Sequence, residues 1–125
     1  MTKIKKKRKQ PGFSPEKTLE LIARAAESKQ AGDLKALDVR KTSKIVDFLV
    51  ICSAESGPQL RAIEKEIDKQ LRKNKIKGFK WEGLAKTGWI VLDLGSIVAH
   101  IMGQAEREYY NLEELWGKEA VIYHY

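Results

Sequence analysis

The chain has 125 residues, 42% of them apolar, which suffices for one domain with a buried core and argues against disorder throughout. A single cysteine, Cys52, excludes a disulfide framework, and no apolar run approaches the ~20 residues of a bilayer span, so a cytoplasmic protein without membrane contact is expected. The formal net charge of +7 is uneven, with eight Lys or Arg against three acids over residues 61–80 and five Glu against two cations over 101–125, a distribution that favours polyanionic partners.

Residues 1–12 read as a disordered basic tail, 13–117 as a single α/β domain, and 118–125 as a C-terminal tail. A first helix starts at Ser14-Pro15, with Ser14 as N-cap and Pro15 in the first turn. Leu19, Ile22, Ala23 and Ala26 form its apolar stripe, and Gly32 is the expected stop. Leu34 to Val39 is a short strand. Phe48 to Cys52, FLVIC, is an unbroken apolar run of strand length, as suits a central strand covered on both sides.

Ser56 and Gln59 stand at capping-box spacing and open a second helix, whose buried stripe is Leu60, Ile63, Ile67 and Leu71. Arg61, Lys65, Lys69 and Arg72 share another face of that helix. They are candidate phosphate contacts, although the same pattern also describes a solvated face with Asp68–Arg72 pairing. Without interleaved aromatics, stacking on single-stranded nucleic acid is not indicated. Phe79 to Glu82 is a third strand, followed by a loop over Gly83 to Gly88.

Trp89 to Met102, WIVLDLGSIVAHIM, is a hairpin turning at Gly95-Ser96, where glycine supplies the positive φ of a type II′ turn. This register pairs 93 with 98, 91 with 100 and 89 with 102. One face then collects Ile90, Leu92, Leu94, Ile97, Ala99 and Ile101, all apolar. The other collects Trp89, Val91, Asp93, Val98, His100 and Met102, a mixture suited to contact with a partner. A last helix ends at Trp116, with Tyr109, Leu112 and Trp116 turned inward and Tyr110 turned outward. The expected order is α-β-β-α-β-β-β-α, an α/β fold with a mixed sheet of about five strands and helices packed on it.

Chemistry is sparsely provided for. There are two His and one Cys, and no Cys-x-x-Cys, nucleophile elbow or phosphate-cradling glycine loop. Cys52, Ser53 and His100 are the only set from which a nucleophile and base could be drawn. The Ser53 to Pro58 connection, leading into a helix N-terminus, is the only anion-type loop. No enzyme activity, metal or cofactor is expected.

LDVR at Leu37 to Arg40, DFLVICSAES at Asp47 to Ser56, QLRAIEKEI at Gln59 to Ile67, WEG at Trp81 to Gly83, the hairpin, and EREYYNLEELWG from Glu106 together resemble the ribosomal silencing factor, or Iojap, family. That resemblance implies a nucleotidyltransferase-like fold without catalytic carboxylates. It implies binding to the large ribosomal subunit through its fourteenth ribosomal protein, with steric block of small-subunit joining and repression of translation. Carried onto this chain, the partner face comprises Trp89, Val91, Asp93, His100 and Met102, with Arg107 and Tyr110 as a rim. Ser96 stands where the family commonly has Asp, and Ala54 where it has Gly. Large-subunit assembly with ribosomal RNA contact through the basic segments is the alternative, a nucleotide-handling enzyme a more distant one, and a homodimer is left open.

Overall fold

A computed structural model describes residues 14–117 and 121–124. The elements are α1 (Pro15–Ser28), β1 (Gly32–Asp38), β2 (Phe48–Ala54), α2 (Gly57–Lys73), β3 (Lys80–Leu84), β4 (Trp89–Asp93), β5 (Ile97–Gly103), α3 (Gln104–Tyr110), α4 (Leu112–Gly117) and β6 (Val121–His124). They build one mixed sheet in the order β3-β4-β5-β2-β1-β6, antiparallel except for the parallel β2–β5 pair.

The helix starts follow their caps. Ser14 Oγ accepts from Lys17 N at 3.2 Å, and Ser56 Oγ accepts from Gln59 N at 3.2 Å. The reciprocal half of the second box is displaced by one residue, because Gln59 Oε1 accepts from Glu55 N instead of Ser56 N. The amide of Gln59 donates to the carbonyls of Lys29 and Gln30, fastening the end of α1 to the start of α2. Gly32 does not stop α1. The helix ends at Ser28, Gln30 takes the left-handed turn at φ 63°, and Gly32 opens β1.

α1 and α2 cover one face of the sheet. The main core gathers Leu19, Ile22 and Ala26 of α1, Leu60, Ile63, Ile67 and Leu71 of α2, and the inward residues of β2, β4 and β5. All six residues of the hairpin's apolar face are at most 1% exposed. FLVIC does lie inside the sheet with both faces covered: Phe48, Val50 and Cys52 enter the main core, while Leu49 and Ile51 join Leu37 and Val39 in a smaller cluster on the opposite, outer face. Gly83, at φ 90°, lets β3 approach β4; a Cβ there would overlap the Trp89 carbonyl.

Two expectations for the C-terminal part give way. The single helix ending at Trp116 is two helices, broken where Asn111 adopts the left-handed conformation at φ 46°. Residues 121–124 are not a tail: β6 pairs antiparallel with β1 from Lys35–His124 to Asp38–Val121, making a sixth strand. Four residues are too few to show strand periodicity, and only the open edge of β1 identifies their place. The expected basic tail falls within residues 1–13, outside the described residues.

Candidate functional site

The outer face is the one the sequence singled out. The hairpin pairs Trp89 with Met102, Val91 with His100 and Asp93 with Val98, as the turn-based register requires. Leu94 N donates to Ile97 O at 2.8 Å across the turn, and Gly95 has φ 90°. Across the sheet these residues extend into rows, with Leu84 beside Trp89 and Glu82 beside Val91 on β3, and Ile51 beside His100 on β2. α3 and α4 cover the β5-β2-β1 part of this face and leave the β4-β3 part open.

Trp89 anchors the open part. Its indole Nε1–H donates to His100 Nδ1 at 3.0 Å, and its ring lies 4.8 Å from that of Tyr110, which in turn meets Tyr109 edge-on at 4.9 Å. An indole nitrogen only donates, so Nδ1 of His100 is unprotonated. Burial lowers the pKa of His100 to about 4 and keeps the ring neutral. Leu84, Tyr110 and Tyr109 are 58%, 51% and 81% exposed, so the cluster forms an apolar, aromatic edge open to solvent.

The seven expected partner-face residues divide. Trp89, Val91, Asp93 and His100 sit together, half-buried, and Tyr110 extends the patch outward. Asp93 has a structural duty as well, its Oδ1 accepting from Gly95 N at 2.8 Å within the turn. Met102 is not available for contact: it is 0% exposed, because α3 follows directly from β5 and packs back over β5 and β2. Arg107 is not a rim residue either. It is 6% exposed and points into the sheet, where Nε and Nη2 donate to the Glu113 carboxylate and Nη1 donates to Asp33 O and Ser53 Oγ at 2.6 and 2.8 Å. Lys35 Nζ reaches Glu113 at 2.9 Å, and the two cations hold the Glu113 carboxyl down at about 2. Tyr109, expected inward, is the outermost ring of the patch; Leu112 does pack on the outer cluster, and the Trp116 side chain lies outside the described residues.

Reading the sequence as one continuous helix missed the Arg107–Glu113 clamp. The six-residue separation becomes a contact only because the chain turns at Asn111.

The residues considered for catalysis do not meet. Cys52 faces the helix-covered core and His100 the outer face; burial pushes the Cys52 thiol up to about 12. Ser53 Oγ is taken by Arg107. At the Ser53–Pro58 loop a depression of about 310 Å³ is lined in part by Ser56, Gly57, Lys86 and Glu106. The Glu106 carboxylate lies against Gly88 and Gly103 there, an acid where an anion would have to bind. Among the described residues no three His, Cys, Asp or Glu are placed to share a metal ion. No helix among them is long and apolar enough to cross a membrane.

The basic stripe of α2 is on the other side of the molecule. Arg61, Lys65, Lys69 and Arg72 are all exposed. Arg72 is engaged: Nε donates to Asp68 at 2.8 Å, and the guanidinium lies 5.2 Å from the centre of the Phe79 ring. Asp68 also accepts from Trp81 Nε1 at 2.9 Å.

Comparison with known proteins agrees with this architecture. The family described as "Ribosomal silencing factor during starvation" matches residues 13–124. The ribosomal silencing factor RsfS of Bacillus subtilis is 41% identical over 99 residues, covering 79% of this chain and 84% of that protein. A crystal structure of a Chromobacterium violaceum protein superposes with a TM-score of 0.80 at 26% identity, covering 84% of this chain and 88% of that one. A Bacillus halodurans crystal structure does so with a TM-score of 0.73 at 35% identity, covering 85% and 97%. With its mixed sheet, helix layer and matched span, the chain belongs to the ribosomal silencing factor family.

Proposed function

We propose that the protein docks on the large ribosomal subunit through the aromatic edge of its outer sheet face, with that subunit's fourteenth protein as the receptor. Docked there, it blocks small-subunit joining and represses translation in the cytoplasm. The observation that carries this reading is the cluster in which half-buried Trp89 meets exposed Leu84 of β3 and exposed Tyr110 and Tyr109 of α3, at the border of the β4-β3 part of the sheet. Large aromatic side chains concentrate binding energy at protein interfaces because they bury much area at little entropic cost. Val91 and His100 border the anchor, and Asp93 contributes the charge that orients a partner.

The mechanism is steric. Occupying the surface that small-subunit contacts require needs affinity and no bond-making step, in keeping with the separation of Cys52, Ser53 and His100. A second copy of the chain using the same edge would compete with the ribosome, so dimer and complex exclude one another.

Co-sedimentation tests the proposal. Trp89→Ala is expected to lose association with large subunits by at least tenfold, as for an interface hot spot of about 2 kcal/mol. Its far-ultraviolet circular dichroism should be unchanged, because the ring lies on the open face. Wild-type sedimentation of the variant would refute the docking face. Retention on precursor particles alone would favour the assembly reading.

A further inference from the structure

The helix layer carries a second surface, on the side of the molecule away from the aromatic edge. Arg61, Lys65, Lys69 and Lys73 recur every four residues along α2, spanning ~18 Å of helix, and all are exposed. They lie opposite the buried stripe of Leu60, Ile63, Ile67 and Leu71. None has an acid within 4 Å among the described residues, whereas the acids of the same helix are occupied elsewhere: Asp68 by Arg72 and Trp81, Glu66 by the Gln70 amide. Glu66 borders the stripe closely enough to feel Lys69 and Lys73, and Glu64 is partly buried on the other flank. A groove of about 840 Å³ runs beside the stripe, where Lys29, Arg61, Lys65 and Lys69 alternate with Glu64, Glu66 and Asp68 beside half-buried Trp81, so the cations that face outward from the helix, and not the groove, carry the net positive charge.

The turn after α2 continues the pattern at a conformational penalty. Lys75 adopts φ 59° in a helix-ending motif in which Ile76 N bonds Leu71 O at 2.9 Å and the Ile76 side chain is buried. Glycine is the usual occupant of that left-handed position, since it alone avoids the clash of a Cβ. A lysine there is disfavoured locally, and it places a further exposed cation beyond the helix end, with Lys77 following.

We infer that Arg61, Lys65, Lys69, Lys73, Lys75 and Lys77 form a binding face for the phosphate backbone of double-stranded RNA. Charge complementarity selects a polyanion, and the lack of exposed aromatics along the stripe selects backbone contact without base stacking. Such binding is independent of sequence and strongly dependent on salt. It does not rest on the aromatic docking face: the two surfaces lie on opposite layers, so a ribosome-bound molecule would present its cations to RNA lying on its far side.

Fluorescence anisotropy with a 20-base-pair RNA duplex, titrated in KCl with the full-length protein, tests this. The triple variant Lys65→Gln, Lys69→Gln, Lys73→Gln is expected to lower affinity on the order of tenfold and to flatten the log–log salt dependence by about 3, one unit for each lost contact. Lys75→Gly is expected to weaken RNA binding while raising the thermal midpoint, a combination that loss of structure cannot produce. Trp89→Ala should bind the duplex as wild type does, which separates this inference from the docking proposal. An unchanged salt slope in the triple variant, with binding lost instead on neutralising Lys5, Lys6 and Lys7, would overturn it. Capture by phosphatidylglycerol vesicles without binding to RNA would overturn it equally.

Discussion

Protonation of His100 and its hydrogen bond from Trp89 exclude one another. The indole N–H needs a lone pair on Nδ1, and burial lowers the folded pKa to about 4 from an ordinary 6.5. As pH falls the unfolded chain takes up this proton first. The stability contributed by neutral His100 is therefore complete above pH 6.5 and declines as pH falls towards 4. Trp89 fluorescence of the folded protein should change about pH 4, where His100 takes up its proton and the hydrogen bond is lost, and His100→Phe should abolish the change. A variant that titrated as wild type would show that another group is responsible. At this scale the sequence was informative about neighbours: strand alternation put Trp89 and His100 on one face. It said nothing of the hydrogen bond between them, which depends on side-chain rotamers.

Arg107 decides how α3 and α4 sit on the sheet. One guanidinium joins Glu113 of α4 to the Asp33 carbonyl and the Ser53 hydroxyl, tying the broken helix to β1 and β2. The Glu113 carboxyl is held at about 2 by Arg107 and Lys35, well below its ordinary 4.5. Its contribution, on the order of 2–3 kcal/mol, is present above pH 4.5 and is lost as pH falls towards 2. Glu113→Gln should lower stability at pH 7 by a similar amount and remove this component of acid unfolding, both readable from urea midpoints at pH 7 and 3. Arg107→Met should be the more damaging change, about 3 kcal/mol, because it leaves a partly buried carboxylate with Lys35 alone. A neutral result for Arg107→Met would mean that α3 and α4 are held by their apolar contacts. An arginine flanked by Glu106 and Glu108 reads in sequence as a surface residue; only the turn at Asn111 brings Glu113 to it.

For the molecule as a whole, β6 closes an edge. A chain ending at Gly117 exposes the outer edge of β1 from Lys35 to Asp38. Such a truncation should lower stability on the order of 2 kcal/mol, from ladder hydrogen bonds worth about 0.5–1.5 kcal/mol each, and should increase self-association through the bared edge. Unchanged denaturation midpoints would return residues 118–125 to the status of a tail. The fold also gives the two proposed contacts different layers: the aromatic edge lies on the open sheet face and the lysine stripe on the outside of α2.

Much of the architecture was determined locally. Caps at Ser14 and Ser56, the FLVIC run and the Gly95-Ser96 turn act through near neighbours, so composition and spacing reveal them. The hairpin register, and with it the face carrying Trp89, Val91, Asp93 and His100, follows from a two-residue turn and the alternation of side chains. What tertiary structure decided was which members of that face remain open. Met102 and Arg107 are covered because a helix folds back over the end of β5, and residues 121–124 become a strand because β1 offers them an edge. Those outcomes depend on contacts between residues far apart in the chain, where neither periodicity nor turn chemistry carries a signal.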